Sequence, residues 1–146
     1  MQDIITRVII VKATQEKVYT TITDPSHIIT WFPDEVEGSM EVGERSTLVF
    51  KDFNHRAQIY VVDKKPFTYF SYRWIPGGQT ATQDVLEGAN TLVEFFIEEV
   101  EKGTKVTVKE SGFASLPAEV AEKSFKDNTG GWDYMMKRLE KLYTQS

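Results

Sequence analysis

The chain has 146 residues, of which 40% are apolar and 12% aromatic, and we expect one domain spanning residues 1–146. A net charge of −5 argues against a nucleic-acid-binding protein, because a phosphate backbone requires a basic face. With no cysteine, disulfides, thiolate metal sites and cysteine nucleophiles are excluded. The amino terminus lacks the pattern of a signal peptide, and the apolar run 8–11 is too short to span a bilayer. We therefore expect a cytoplasmic protein without stable membrane insertion.

The first part of the chain predicts one strand and two short helices. Residues 3–13 are rich in β-branched side chains, which is typical of a strand. Thr14 has the position of a helix N-cap. Asp24 and Pro25 form a second N-cap and N1 pair, which predicts a helix ending near Trp31 and Phe32.

The middle of the chain has the period-two alternation of an antiparallel sheet. Six further strands are predicted, two of them within 90–113 and the others at 35–40, 45–52, 56–65 and 66–75. Residues 76–89 are rich in glycine and polar side chains and predict a mobile loop.

A long helix is predicted over 117–143, with Pro117 at its first position and apolar residues at steps of three, four or seven. Gly130 and Gly131 interrupt this pattern, and each should cost about 1 kcal/mol relative to alanine in a helix interior. Three explanations are open. The glycines allow close approach to the sheet or to a ligand, they kink the helix, or they mark a break between two helices.

The order of these elements predicts an α+β fold in which one helix packs on a meandering antiparallel sheet. At this point the sequence resembles the START-like, or SRPBCC, superfamily, and most closely its AHSA1-type branch, named after the carboxy-terminal domain of the activator of Hsp90 ATPase. The resemblance covers nearly the whole chain, and the order of its motifs is more specific than any one of them. After the first strand these motifs are "TQEKVYTTITDPSHIITWF" (14–32), "KKPF" (64–67), "YFSYRW" (69–74), "KGTKVTVKESGF" (102–113) and "GGWDYMMKRLEKL" (130–142).

The resemblance implies a helix-grip (START/Bet v 1-like) fold, in which a curved antiparallel sheet of six to seven strands wraps around the long carboxy-terminal helix. Two short helices follow the first strand. The space between helix and sheet is often a cavity for an apolar ligand, such as a lipid or a polyketide-like molecule. The family label also implies a possible chaperone partner, although we expect a single domain here, without the separate amino-terminal domain of the full activator.

Most candidate ligand-binding residues are aromatic or methionine side chains on the predicted inner faces. A pocket for a planar or apolar ligand is lined mainly by such side chains, but they are equally suited to filling a core. The set is Trp31, Phe32, Phe50, Tyr72, Trp74, Phe95, Phe125, Trp132, Met135 and Met136.

Two polar residues complete the predicted site. Glu110 continues the inward face of Val106 and Val108, and a buried carboxylate needs partners or a shifted pKa; the alternative is that this strand end reaches solvent. Asn128 lies one turn before Trp132 and could place an amide in the cavity.

Sequence motifs for catalysis, metal binding or cofactor binding are missing. The chain contains no zinc-binding His-Glu-x-x-His, no phosphate-binding loop and no nucleophile elbow, and His27 and His55 are predicted to lie on the surface. We therefore predict no catalytic residue, no metal and no cofactor. The predicted function is non-catalytic binding of a small hydrophobic or aromatic molecule. The alternatives are a co-chaperone-like interaction module, or a cyclase- or hydrolase-type enzyme using Glu110 with Tyr72.

Overall fold

A computed structural model describes residues 3–76 and 84–144. Residues 77–83, which belong to the loop predicted at 76–89, lie outside the described residues. The elements in chain order are β1 (Ile4–Val11), α1 (Gln15–Thr23), α2 (Pro25–Ile28), β2 (Glu35–Glu37), β3 (Arg45–Phe50), a 3-10 turn (Lys51–Phe53), β4 (His55–Lys65), β5 (Tyr69–Trp74), β6 (Thr91–Val100), β7 (Gly103–Ser111), a second 3-10 turn (Phe113–Ser115) and α3 (Ala118–Leu142).

The seven strands form one curved sheet in the order β1-β7-β6-β5-β4-β3-β2. Every neighbouring pair is antiparallel, so β2 to β7 form a meander and β1 closes the far edge against β7. The predicted α+β helix-grip fold is confirmed: α3 is the long carboxy-terminal helix, and α1 and α2 follow the first strand.

The predicted helix starts are confirmed at both short helices. The Thr14 hydroxyl accepts a hydrogen bond from the Lys17 backbone N–H at 3.2 Å. The Asp24 carboxylate accepts a hydrogen bond from the Ser26 backbone N–H at 2.8 Å, and Pro25 lies in the first turn of that helix. Each cap satisfies a backbone donor that has no partner inside its helix.

Two predicted helix boundaries are corrected. The second helix ends at Ile28 rather than near Trp31 and Phe32, because Phe32 precedes Pro33 and a residue before proline is disfavoured in helical conformation. The long helix begins at Ala118, and Pro117 is its N-cap in a non-helical conformation rather than its first helical residue.

The double glycine does not break the long helix. Helix α3 is one continuous element of 25 residues that contains both Gly130 and Gly131. A Cβ atom built on either glycine would have no neighbouring atom within 4 Å, so the two glycines are not required for close packing of the helix against the sheet. Of the three explanations, the break is wrong and close approach to the sheet finds no support, while the kink stays a prediction. Close approach to a ligand remains compatible with this geometry.

Side chains from α1, α2, α3 and the inner face of the sheet form the core. One end of it, near α1 and α2, is completely filled by Trp31, Phe70 and Phe95, all with no exposed surface. The Trp31 indole also donates a hydrogen bond to the Thr21 carbonyl at 3.0 Å, which fixes the segment after α2. We call these three residues the filled end.

Candidate functional site

At the other end, a pocket of about 820 Å³ lies between α3 and the sheet. Gly130 and Gly131 line it from the helix, and Phe50, Trp74 and Ile75 line it from the strands and the segment after β5. This volume is in the range of small-molecule binding sites. Because the glycines carry no side chain, the helix presents bare backbone here.

Three stacked or tilted rings form the inner wall of the pocket. The Phe32 ring centroid lies 5.4 Å from that of Trp132 and 5.9 Å from that of Trp74, and the two tryptophans are 5.9 Å apart. Phe50 contacts Phe32 edge-on at 5.3 Å. All four side chains are buried and line the pocket, so the small surface that they leave accessible is apolar.

A second aromatic pair lies at the mouth of the pocket. Phe53, from the turn between β3 and β4, contacts Tyr134 of α3 edge-on at 6.3 Å. Their exposed fractions are 62% and 50%, which is high for side chains of this size. This contact joins the β3–β4 hairpin to the helix across the pocket opening.

Behind the inner wall lies a fully buried carboxylate, that of Glu110 on β7, with 0% of the residue exposed. Its Oε2 accepts hydrogen bonds from Trp74 Nε1 at 2.9 Å and from the Thr91 hydroxyl. Its Oε1 accepts one from Trp132 Nε1 at 2.8 Å, and Asn128 Nδ2 donates to both oxygens at 2.9 and 3.0 Å. The alternative that this strand end reaches solvent is therefore wrong.

The strand register and the helix period bring the four donors together. Trp74 of β5 and Thr91 of β6 are directly paired, and Val93 of β6 is paired with Glu110 of β7. Asn128 and Trp132 are four residues apart and share one face of α3. The carboxylate thus connects the helix to three adjacent strands through neutral donors that occupy roughly all of its four lone-pair positions.

The Tyr72 hydroxyl lies close to this network but outside it. Among the described residues it has no hydrogen-bond partner, although it is fully buried. Burial, and to a lesser extent the negative charge of Glu110, raise the pKa of Tyr72 well above its ordinary value. A general base must have a free lone pair to accept a proton, so the saturated Glu110 carboxylate is suited to holding the pocket wall rather than to proton transfer.

The polar side chains that line the pocket itself, among the described residues, are Asp52, His55, Asp127, Asn128 and Tyr134. Burial lowers the pKa of His55 below its ordinary value, which favours the neutral imidazole. Asp127 is paired with Lys123 one turn earlier on α3, at 2.6 Å. Within residues 3–76 and 84–144 no cluster of His, Asp and Glu side chains is suited to hold a metal ion.

The structure divides the predicted site residues into four groups. Phe32, Phe50, Trp74, Asn128, Trp132 and Met135 line the pocket. Glu110 lies behind its wall, while Trp31, Tyr72, Phe95 and Met136 are buried in the core. Phe125 packs against Phe113 at 5.2 Å, outside the pocket. A role of these residues in ligand binding stays a prediction.

The sequence reasoning missed several residues at the pocket mouth. His55, predicted to lie on the surface, is half-buried, and it lines the pocket together with Phe53. Asp52, Asp127 and Tyr134 were not singled out, because each looks like an ordinary surface residue. The one available signal was the double glycine, which marks the part of α3 that these residues surround.

A long helix lying across a seven-stranded antiparallel sheet, with a pocket between them, defines a helix-grip protein. The chain belongs to the family of activator of Hsp90 ATPase homolog 1-like proteins, whose family model matches residues 12–144. The family and fold are those of a ligand-binding or co-chaperone-like module. No curated protein sequence is significantly similar to the chain.

Solved structures share this fold at low sequence identity. Protein MLL2253 from Mesorhizobium loti has a TM-score of 0.78 and 20% identity, with 98% of each chain covered. The Aha1 dimer from Colwellia psychrerythraea has a TM-score of 0.73 and 19% identity, covering 97% of this chain and 96% of that one. DynU16, from the dynemicin biosynthetic locus, has a TM-score of 0.79 and 21% identity over 99% of this chain. The present chain spans about half of DynU16, 48%.

No helix in the described residues is both long enough and apolar enough to cross a membrane.

Proposed function

We propose that this protein binds a small apolar or aromatic molecule, without chemical turnover, in the pocket between α3 and the sheet. The observation that carries the proposal is the bare helix backbone at Gly130 and Gly131. Two glycines weaken a helix by about 1 kcal/mol each relative to alanine, and neither relieves a steric contact within the protein. A ligand that packs against the helix backbone supplies the reason for them.

The aromatic wall of the pocket supports the same proposal. Phe32, Trp74 and Trp132 line the pocket, and hydrogen bonds to Glu110 hold both indoles in place. A wall fixed before binding loses little conformational freedom when a ligand arrives, which favours affinity. A planar ring system inserted between the sheet residues Phe50 and Trp74 and the glycine backbone of α3 would bury its two faces.

The test is a two-dimensional amide NMR titration against a library of lipids, flavonoids and other aromatic metabolites. We expect saturable shifts at Trp74 and over residues 128–136, and none at Phe70 in the filled end. In Gly131→Leu the new side chain should occupy the pocket and abolish these shifts, while the same substituent in Lys137→Leu, at an exposed position of α3, should leave them unchanged. No saturable shift with any compound, or equal binding by Gly131→Leu, would refute the proposal.

A co-chaperone-like interaction is the second candidate, favoured by the family and by one surface feature. Ile4, Val8 and Ile10 of the edge strand β1 are each about half exposed, on the side of the strand away from the core. Stimulation of purified Hsp90 ATPase by this protein, lost in Val8→Lys but kept in Gly131→Leu, would support it. Unchanged ATPase turnover at saturating protein would exclude it.

A further inference from the structure

We infer that the pocket selects its ligand by charge, accepting neutral or cationic aromatic molecules and rejecting anionic ones; the inference rests on the proposed binding function. It follows from the charged and polar groups of the pocket walls. Among the described residues, the walls hold no cationic side chain and few free hydrogen-bond donors. They hold aromatic rings and carboxylates.

No Lys or Arg side chain lines the pocket within the described part of the chain. The stretches outside it, residues 1–2, 77–83 and 145–146, contain no Lys or Arg either. Arg138 does contact a lining residue, with its guanidinium 5.9 Å from the Tyr134 ring, but it donates to the Phe32 carbonyl and is not itself part of the lining. A carboxylate or phosphate bound here would have no cation to pair with.

The strong hydrogen-bond donors of the inner wall are already used. Trp74 Nε1, Trp132 Nε1 and Asn128 Nδ2 all donate to the buried Glu110 carboxylate. The donors that remain on the lining are the Tyr134 hydroxyl at the mouth and the neutral imidazole of His55. An anion entering the pocket would lose its hydration and gain little in return, which is costly.

A cation meets the opposite conditions. The faces of aromatic rings carry partial negative charge and attract a cation placed over them, and the lining rings Phe53 and Tyr134 are 62% and 50% exposed at the mouth. The Asp52 carboxylate at the mouth forms no ion pair among the described residues, whereas Asp127 is paired with Lys123. The Glu110 carboxylate behind the wall has only neutral donors as partners. The combined field in the pocket therefore favours positive charge.

The test uses three probes with one ring system and different charge: 1-naphthylmethylammonium, 1-naphthalenemethanol and 1-naphthoate, each titrated by amide NMR at low salt. We expect 1-naphthoate to bind at least about tenfold more weakly than the alcohol, because burial of an unpaired carboxylate is unfavourable. The ammonium should bind about two- to fivefold more tightly than the alcohol, as a cation over partly exposed rings does. This preference should decrease as salt is added.

Two variants identify the source of the charge preference. Asp52→Asn should reduce the ammonium-over-alcohol ratio toward one without changing alcohol affinity. Glu101→Gln removes the same charge from the exposed β6–β7 turn, outside the pocket lining, and should leave the ratio unchanged.

The outcomes separate the two proposals. If 1-naphthoate binds as tightly as the other probes at the pocket resonances, the charge inference is overturned and the binding function stands. If none of the three probes produces saturable shifts there, the binding function fails and the charge inference fails with it. If the ratio is the same in Asp52→Asn and the parent, the mouth carboxylate is not a source of the preference.

Discussion

The two ends of the space between α3 and the sheet are built from similar residues and differ in how they are filled. At the filled end, Trp31, Phe70 and Phe95 close the interior without exposed surface. At the pocket end, Phe32, Phe50 and Trp74 are just as aromatic, but α3 lines the same pocket with Gly130 and Gly131. The difference teaches that aromatic content alone does not identify a ligand site; the missing side chains on the facing element do.

The largest expected effect lies at the filled end. Phe70→Ala should lower the free energy of unfolding by about 3–5 kcal/mol, because it removes a buried aromatic side chain and opens a cavity. It should leave ligand affinity of the folded fraction unchanged, since the Phe70 ring contacts Tyr72 and Phe95, which do not line the pocket. Urea unfolding and the probe titration together measure both quantities. A folded Phe70→Ala that has lost binding would contradict the separation of the two ends.

The second-largest effect is expected from the hydrogen bonds of the Glu110 carboxylate. Glu110→Gln keeps one acceptor oxygen but turns an NH2 group toward the indole and hydroxyl donors, so at least one buried donor loses its partner. We expect a loss of about 2–3 kcal/mol in the free energy of unfolding.

Glu98→Gln provides the matched control for Glu110→Gln on the neighbouring strand β6. The Glu98 side chain is exposed, so the free energy of unfolding of this variant should stay within about 0.5 kcal/mol of that of the parent. Equal stability of the two variants in urea unfolding would show that the Glu110 hydrogen bonds do not hold the pocket wall.

Replacement of either helix glycine by alanine should have a smaller effect on the free energy of unfolding, and of opposite sign. Gly130→Ala and Gly131→Ala should each raise the free energy of unfolding by about 1 kcal/mol, because alanine is the better helix former and its Cβ meets no atom within 4 Å. The same methyl groups should reduce the affinity of a ring that packs on the helix backbone. Stabilisation with unchanged affinity would mean that the ligand does not contact α3.

Most of the fold could be predicted because its signals are local. The alternation of residues 56–65 predicts β4, and the Thr14 and Asp24 caps predict two helix starts, each from a few neighbouring residues. The end of α2 was missed because the effect of Pro33 on the preceding residue outweighs the apolar pattern that continues through Phe32.

The site was harder to predict because it depends on pairing between distant segments. The alternation along β7 predicts that Glu110 points inward. Its hydrogen-bond partners are not predictable in this way, because they depend on the register that pairs Trp74 with Thr91 and on the position of Trp132 in the helix across the sheet. Nothing near His55 in the sequence indicates that α3 lies opposite it, so a surface position was the natural expectation. Gly130 and Gly131 were visible as an anomaly, but only the structure places open space beside them.

The smallest expected effect is the pH dependence of stability, which we assign to His55 at the pocket end. Burial lowers the pKa of His55 in the folded state relative to about 6.5 in the unfolded chain. Between the folded-state pKa of His55 and about pH 6.5, the unfolded state therefore binds more protons than the folded state. The contribution of neutral His55 to stability is fully present above about pH 6.5 and is lost as the pH falls through the folded-state pKa. Asp24, whose pKa is also lowered, loses its contribution only below about pH 4.

Urea midpoints measured between pH 7.5 and 5 should therefore decrease in the parent and vary less in His55→Gln. His27→Gln, at an exposed position on α2, should retain the dependence of the parent. Because His55 lines the pocket, protonation should also weaken binding of the ammonium probe more than that of the alcohol over the same range. An unaltered pH dependence in His55→Gln would place the titrating group elsewhere and leave the mouth of the pocket without a pH-sensitive residue.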